Sequence, residues 1–293
     1  MKSTFFARAD LPSHGEKAFD DFLLAEAEHK DGYIESSRRP EKQGRNIEKI
    51  LGEAQDSYFR GFYLDALKRY ARVLSADTNQ ISAWVGQVRI LADIGRYDSA
   101  IYWADKACEF FDDETLLFFA KAFALAHAGR IDDAKAIINV PVGKDESPMM
   151  WLLRGEVLIR VRINFIQKIF TPHKGIGRLG AFFCFVKALS PDQQDPFINQ
   201  RIGLAYMLAN HYGRAFEHLN LSLKGANNNP LTLYGLAECC RMKRDYERAL
   251  YYVKKAIAGN PNLDCAFELL EWLHGPARRF FGLFKRTAGK EIS

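Results

Sequence analysis

Residues 95–107 read GRYDSAIYWADKA, and this stretch decides the fold because close variants of it recur along the chain. Residues 129–139 read GRIDDAKAIIN, and residues 244–256 read RDYERALYYVKKA. In each, a turn residue is followed two positions later by an aromatic or β-branched residue and three positions after that by alanine. The pattern indicates a structural unit that is used several times.

The alanines give the length of this unit. They are spaced 34 residues apart, first at Ala66, Ala100 and Ala134 and again at Ala215 and Ala249. A repeat of this length is typical of two antiparallel helices joined by a tight turn, in which a small residue lets the helices approach closely. One such hairpin cannot bury its apolar face alone, so neighbouring hairpins must stack. The sequence therefore predicts an all-α solenoid of stacked helical hairpins.

The unit resembles the tetratricopeptide repeat, which has a bulky residue at position 4, small residues at 8, 20 and 27, an aromatic at 24 and proline at 32. Matching residues of the repeat at Ile81 are Trp84, Val88, Gly95, Tyr97, Ala100, Ala104 and Ala107, and those of the repeat at Pro230 are Leu233, Ala237, Tyr246, Ala249, Val253, Ala256 and Pro261. The resemblance covers about residues 47–274. It implies a right-handed superhelix of about six repeats that start near residues 47, 81, 115, 149, 196 and 230, followed by a capping helix.

Two different segments flank the predicted array. Residues 1–46 are expected to form an N-terminal extension that ends in a polar linker, ESSRRPEKQGR. Residues 275–293 are expected to form a basic, Phe-rich tail.

The fourth repeat contains an interruption, the glycine-rich stretch KIFTPHKGIGRLG at residues 168–180. Thirteen additional residues, about 164–177, separate its two helices. We favour a flexible connection, because a phosphate-binding loop needs a preceding strand and a GK[ST] sequence that this stretch lacks. Two alternatives remain, a nucleotide- or anion-responsive regulator and a partner contact, for which the candidate side chains are Lys168, His173, Lys174 and Arg178.

Composition and charge narrow the class of protein. The chain has 293 residues, 48% hydrophobic and 26% charged, as is ordinary for a soluble globular protein. Its net charge of +5 is concentrated in the tail and in an acid-free stretch between Glu156 and Asp192. A nucleic-acid-binding protein would spread basic residues along a whole face, so we expect no nucleic acid to be bound.

Five cysteines without a CxxC pair, and no secretory signal, indicate a cytoplasmic protein, with a peripheral position at the inner membrane face as the alternative.

The resemblance implies a groove for a protein or peptide partner, because in that family the first helix of each repeat lines the concave surface at positions 2, 5, 9 and 12. The residues chosen as the partner site are Arg89, Phe119, Phe123, Leu153, Val157, Arg160, Gln200, Leu204, Met207, Tyr234 and Arg241. Further residues at these inner positions are Ser82, Val85, Leu116, Ala126, Met150, Phe197, Leu231 and Glu238. Apolar residues with scattered arginines suit a peptide-binding groove.

The tail is the second candidate surface. In RRFFGLFKR, the phenylalanines and Leu283 are expected to form one face of a short helix with cations on the other, as in segments that contact a membrane surface or a partner. The residues concerned are Arg278, Arg279, Phe280, Phe281, Phe284, Lys285 and Arg286. Self-association is left open as well.

Catalytic chemistry has little support in the sequence. The seven histidines form no HExxH motif or close Cys/His cluster, and no serine lies in a GxSxG motif. We therefore expect no catalytic residue, no metal and no cofactor. The predicted function is that of a scaffold, adaptor or chaperone-like assembly factor, with membrane docking through the tail as the main alternative.

Overall fold

The computed structural model describes residues 40–111, 114–139, 147–168 and 177–275, with side chains outside the description at 40–45, 162–168 and 177–179. Within these ranges the chain forms only α-helices. They are α1 (Pro40–Phe59), α2 (Tyr63–Ala76), α3 (Ile81–Asp93), α4 (Tyr97–Phe110), α5 (Thr115–His127), α6 (Ile131–Ile138), α7 (Pro148–Lys168), α8 (Gly177–Leu189), α9 (Pro196–Leu208), α10 (Tyr212–Gly225), α11 (Pro230–Met242), α12 (Tyr246–Gly259) and α13 (Asp264–His274). The predicted all-α array of hairpins is confirmed.

Consecutive helices pair as six hairpins, α1–α2 to α11–α12, and each hairpin packs on the next. The five alanines that define the period are all 0% exposed. They lie where the second helix of each hairpin crosses the first, and this explains why the sequence keeps a small residue there. The last helix, α13, packs on α11 and α12 and buries Leu263, Cys265, Ala266, Leu269 and Leu273.

The turn inside a hairpin has one geometry. Gly61, Gly95 and Gly129 end the first helix of hairpins one to three with φ of 83°, 84° and 82°. In the second hairpin the N–H of Arg96 then donates to the carbonyl of Leu91 at 2.8 Å. This left-handed termination is easiest for glycine, which has no Cβ to clash. Asn210 and Arg244 adopt the same region in later hairpins, with φ of 60° and 62°.

The array closes on itself. The carbonyl of Phe59, at the end of α1, accepts a hydrogen bond from Gln200 Nε2 on α9 at 2.9 Å and another from Asn229 Nδ2 before α11 at 3.1 Å. The rings of Tyr58 and Phe197 lie 5.9 Å apart between their centroids. The first hairpin therefore contacts the fifth and sixth, which repeats of an open solenoid would not do.

Two boundaries differ from the sequence expectation. Helix α1 begins at Pro40, inside the predicted N-terminal extension and linker of residues 1–46, since proline is well tolerated at the first position of a helix. Helix α7 is 21 residues long and ends at Lys168, whereas α5 has 13. The first inserted residues thus extend a helix, and residues 169–176 lie outside the described part. None of the described helices combines the length and apolarity needed to cross a membrane.

Candidate functional site: the concave face

The predicted groove residues lie on the first helices of their hairpins, and most are buried in this structure. Nine of the eleven are at most 5% exposed: Arg89, Phe119, Phe123, Leu153, Val157, Gln200, Leu204, Met207 and Tyr234. Arg160 and Arg241 are partly buried. The physical reason is the closure described above, because hairpin one covers surface that an open superhelix would expose. Of these nine side chains, Arg89 alone lines the 470 Å³ cavity described below.

A network of four charged side chains fills the middle of the concave face. Arg201 donates from Nη1 and Nη2 to the two carboxylate oxygens of Asp93 at 2.7 and 3.2 Å, and from Nε to Glu156 Oε1 at 3.0 Å. Arg89 Nη2 lies 3.1 and 2.9 Å from the two oxygens of Glu156. All four residues are at most 5% exposed. Two cations face two anions, so the network carries no net charge.

Aromatic rings enclose this network. The hydroxyl of Tyr58 donates to Asp93 Oδ2 at 2.7 Å, and its ring lies 5.5 Å from the Arg201 guanidinium carbon. The Arg89 guanidinium carbon lies 5.1 Å from the centroid of Phe123. Burial is the main cause that raises the pKa of Tyr58, so its hydroxyl stays protonated and can donate. Burial lowers the pKa of Arg201, but the charge of Asp93 raises it, and the net effect is well upward.

Most of this network was not predicted from the sequence. Arg89 was predicted as a polar group on the inner surface, whereas Asp93, Arg201 and Tyr58 were not chosen. Glu156 offered a signal, because it stands at position 8 of its repeat, where the family pattern has a small residue. A charged residue in a position that packs between helices indicates a buried partner of opposite charge.

Among the described residues, a cavity of about 470 Å³ opens on the concave face, between the C-terminal half of α1 and the N-terminal halves of α3, α5, α7 and α9. Its walls come from α1, α2, α3, α5, α7 and α9. The lining residues are Gly52, Gln55, Asp56, Tyr58, Phe59, Tyr70, Ser82, Val85, Gly86, Arg89, Leu116, Met149, Asp195 and Phe197. Five of them, Ser82, Val85, Arg89, Leu116 and Phe197, stand at predicted inner positions.

The walls of the cavity are mainly apolar, and its polar groups are Arg89, Asp56 and Asp195. Gly86 allows the Tyr70 ring to form a wall, since a Cβ at Gly86 would lie 2.3 Å from that ring. Arg89 Nη1 reaches the thioether sulfur of Met149 at 3.2 Å, a weak acceptor. Asp56 and Asp195 also line the cavity, and both are partly or fully exposed. The arrangement suits a ligand with a large apolar part, a hydrogen-bond acceptor and a positive charge.

The opposite end of the inner helices is nearly filled. His127 Nδ1 lies 3.2 Å from the carbonyl of Ala92, and its ring lies 4.2 Å from that of Phe123. Burial, followed by the charges of Arg160 and Arg201, holds the pKa of His127 well below its usual value. Burial also lowers the pKa of Arg160. Only about 10 Å³ of space remains among these groups, room for a single water molecule.

The remaining candidate residues fall into two groups. Arg241 pairs with Glu238 on its own helix, and its guanidinium carbon lies 4.7 Å from the Trp272 ring of the cap, so it fastens α13 to α11. The side chains of Lys168, His173, Lys174 and Arg178 lie outside the described residues, and so does the tail with Arg278, Arg279, Phe280, Phe281, Phe284, Lys285 and Arg286. Across the described residues, no group of three His, Cys, Asp or Glu side chains could hold a metal ion.

Comparisons with known proteins agree with the predicted repeats. A family model of the tetratricopeptide repeat matches residues 51–115. A tetratricopeptide repeat protein from Parabacteroides merdae ATCC 43184 is 14% identical, with 89% of this chain and 96% of that chain covered and a TM-score of 0.50. At 14% identity, this structural similarity shows a shared fold and nothing about function. No curated protein matches the chain.

Two further solved structures are similar at lower TM-scores. A thermophilic TPR protein from Thermus thermophilus is 16% identical over 78% of this chain and 100% of its own, with a TM-score of 0.43. YrrB, a TPR protein with an unusual peptide-binding site, is 14% identical over 68% of this chain and 96% of its own, with a TM-score of 0.40.

Proposed function

We propose that the chain, of which residues 51–115 match the tetratricopeptide repeat model and which shares the fold of such proteins, is a non-catalytic interaction scaffold that binds a segment of a protein partner in the 470 Å³ cavity. The observation that carries the proposal is the cavity itself, because it is open on the concave face whereas nine of the eleven predicted groove residues are at most 5% exposed. Its size is within the range of small ligand sites, so it suits a short stretch of chain rather than a whole helix.

The lining defines the chemistry of that segment. Tyr70, Leu116 and Phe197 form apolar walls that suit one or two large apolar side chains. Because the charge of Arg89 is already balanced by Glu156, its Nη1 group suits a neutral carbonyl acceptor better than a carboxylate. The carboxylates of Asp56 and Asp195 favour a lysine or arginine in the segment. We therefore expect an extended segment in which a large apolar residue is close to a basic one.

A peptide-display library provides the test, because the partner need not be known. Peptides selected on the wild-type protein would be counter-screened against Ser82→Trp, whose indole would occupy the cavity from an exposed position on its wall. Ser75→Trp, also exposed but on α2 outside the cavity, is the matched control. We expect binding to be lost with Ser82→Trp and kept with Ser75→Trp.

The same selection tests the charge preference. Asp56→Asn combined with Asp195→Asn keeps the shape of the cavity and removes two negative charges, and Asn at 195 can still cap α9, as Asp195 does through Ile198 N. Selected peptides should be rich in basic residues on the wild type and lose that bias on the double variant. Peptides that bind all variants equally would place the site elsewhere.

The proposal includes a reducing compartment such as the cytoplasm. The five cysteines are free thiols, and four of them are buried. Burial raises the pKa of Cys184 to about 11 and that of Cys239 to about 12, which keeps both in the unreactive thiol form. Whether the bound partner is being bridged, assembled or chaperoned depends on that partner.

A further inference from the structure

The small space at the C-terminal ends of α3, α5 and α9 takes no part in the proposed function. It measures about 10 Å³, and its polar lining residues are Asp93, His127, Glu156, Arg160 and Arg201. It shares no lining residue with the 470 Å³ cavity. The two places are therefore separate, and we call the smaller one the Arg160 site.

Arg160 differs from the other arginines of the concave face. Arg89 and Arg201 each donate to Glu156, at 3.1 and 3.0 Å. Arg160 is partly buried as well, yet it forms no hydrogen bond or ion pair with any residue that the structure describes. Burial lowers the pKa of Arg160, so its surroundings disfavour the charge. A guanidinium group has five N–H donors, and those of Arg160 are offered to a group from outside the chain.

The carboxylates beside Arg160 are already used by other donors. Both oxygens of Asp93 accept from Arg201, and Oδ2 also accepts from Tyr58. Glu156 Oε1 accepts from Arg89 and Arg201, and Glu156 Oε2 lies 2.9 Å from Arg89 Nη2. Neither carboxylate is therefore free to act as the partner of Arg160.

The helix ends at the site do not supply an acceptor either. Their partial negative charge favours a cation nearby. The carbonyls of Leu91, Leu125 and Tyr206, in the last turns of α3, α5 and α9, accept from N–H groups of the turns that follow, at 2.8, 2.9 and 2.9 Å. The helix ends thus reduce the cost of the Arg160 charge without forming a hydrogen bond to it.

The charges at the Arg160 site do not balance. Three guanidinium groups meet two carboxylates, which leaves a net charge of +1 among the described residues. The five groups are those of Arg89, Arg160, Arg201, Asp93 and Glu156. His127 adds no charge at neutral pH, because burial holds its pKa well below the usual value. Since a charge withdrawn from water is costly without a partner, the missing charge is a negative one.

We propose that the Arg160 site binds a single chloride ion, with the guanidinium group of Arg160 as its main ligand. The ion would supply both the acceptor and the negative charge that the surrounding residues lack. A space of about 10 Å³ holds one water molecule, so it is too small for phosphate, sulfate or a carboxylate, whereas chloride is only slightly larger than water. The ion would lie between the first helices of hairpins two to five and would stabilise the closed array.

Thermal unfolding at constant ionic strength tests the proposal. Chloride would replace gluconate, which is too large for the site, from about 1 mM to about 100 mM, so that the screening of surface charges stays the same. A ligand that binds only the folded chain raises its unfolding temperature. We expect a rise of about 3 °C that saturates as chloride increases.

Variants of two arginines make the result specific. Arg160→Met should remove the response to chloride, and Arg160→Lys, which keeps the positive charge, should retain part of it. Arg241→Met is the matched control, because Arg241 stands at the same position of its repeat and is also partly buried, but is paired with Glu238. It should respond to chloride as the wild type does. Circular dichroism would verify that each variant keeps its helices.

Bromide provides a direct measurement that needs no variant. In crystals of the wild-type protein grown with bromide, an anomalous scattering peak should lie beside the Arg160 guanidinium group. Bromide bound at exposed arginines alone would be an adventitious ion only and would contradict the proposal. An unfolding temperature that ignores chloride, or an equal response of Arg160→Met and the wild type, would also overturn it and leave water as the partner of Arg160.

Discussion

Arg201 and Asp93 are separated by 108 residues, yet the guanidinium group of Arg201 donates to both carboxylate oxygens of Asp93. The pair joins the fifth hairpin to the second across the inside of the array. In a solenoid each repeat contacts mainly its neighbours, so this contact adds a constraint that the repeat alone does not supply. It accounts for the burial of the side chains that an open groove would display.

We predict that Asp93→Ala lowers the free energy of unfolding by about 3–5 kcal/mol, because it leaves Arg201 charged and buried without its main partner. Urea denaturation followed by circular dichroism at pH 7 gives the value. The double variant Asp93→Leu with Arg201→Met should lose less stability than Asp93→Ala, since it removes both charges together. A loss below about 1 kcal/mol for Asp93→Ala would mean that the pair contributes no more than an exposed one.

Closure of the array gives a second prediction, on Asn229. Its Nδ2 donates to the carbonyl of Phe59, while its Oδ1 accepts from Thr232 N and caps α11. Asn229→Asp keeps the cap but places a carboxylate oxygen against the Phe59 carbonyl. Amide hydrogen exchange should become faster in α1 and stay unchanged in α12. Equal acceleration in both helices would indicate general destabilisation instead.

The fold was predictable from sequence, and the site only in part. Ala66, Ala100 and Ala134 repeat at a fixed spacing because each lies at the same helix crossing. A short stretch of sequence is therefore enough to predict each hairpin. The contact of Phe59 with Asn229 depends on the small rotation between each hairpin and the next, added over all the hairpins. A short sequence pattern does not predict this total rotation. For this reason the position rule selects residues of the first helices but does not predict that most of them are buried.

The lining of the cavity was likewise predictable from the sequence only in part. Ser82, Val85 and Leu116 follow from the position rule for first helices, and they do line the cavity. Tyr70 and Asp195 lie in a second helix and in a connection, which that rule does not consider. The irregularity at Glu156 is the single local signal for the network beneath the cavity.

A third prediction concerns the turn of the sixth hairpin. Arg244 has a φ of 62°, in the left-handed region that disfavours side chains with a Cβ. Arg244→Gly should raise the free energy of unfolding by up to about 1 kcal/mol, because the relief of strain exceeds the extra entropy of glycine in the unfolded chain. Gly95→Ala is the opposite change, because it adds a Cβ at a turn residue with a φ of 84°. A Cβ there would contact nothing within 4 Å, so its expected destabilisation reports backbone strain alone. Thermal unfolding of the two variants should give shifts of opposite sign.

The last prediction is a pH dependence that arises from His127. Burial, then the charges of Arg160 and Arg201, lowers its pKa well below the usual value of about 6.5. Below that value the unfolded chain binds a proton that the folded chain does not, so the free energy of unfolding must fall as the pH falls. The loss for one such group is at most about 1.4 kcal/mol per pH unit. We expect urea midpoints to decrease from pH 7.5 to pH 5, and His127→Gln to reduce this slope. An unchanged slope in His127→Gln would assign the effect to other groups, of which His218 is the first candidate because burial lowers its pKa too.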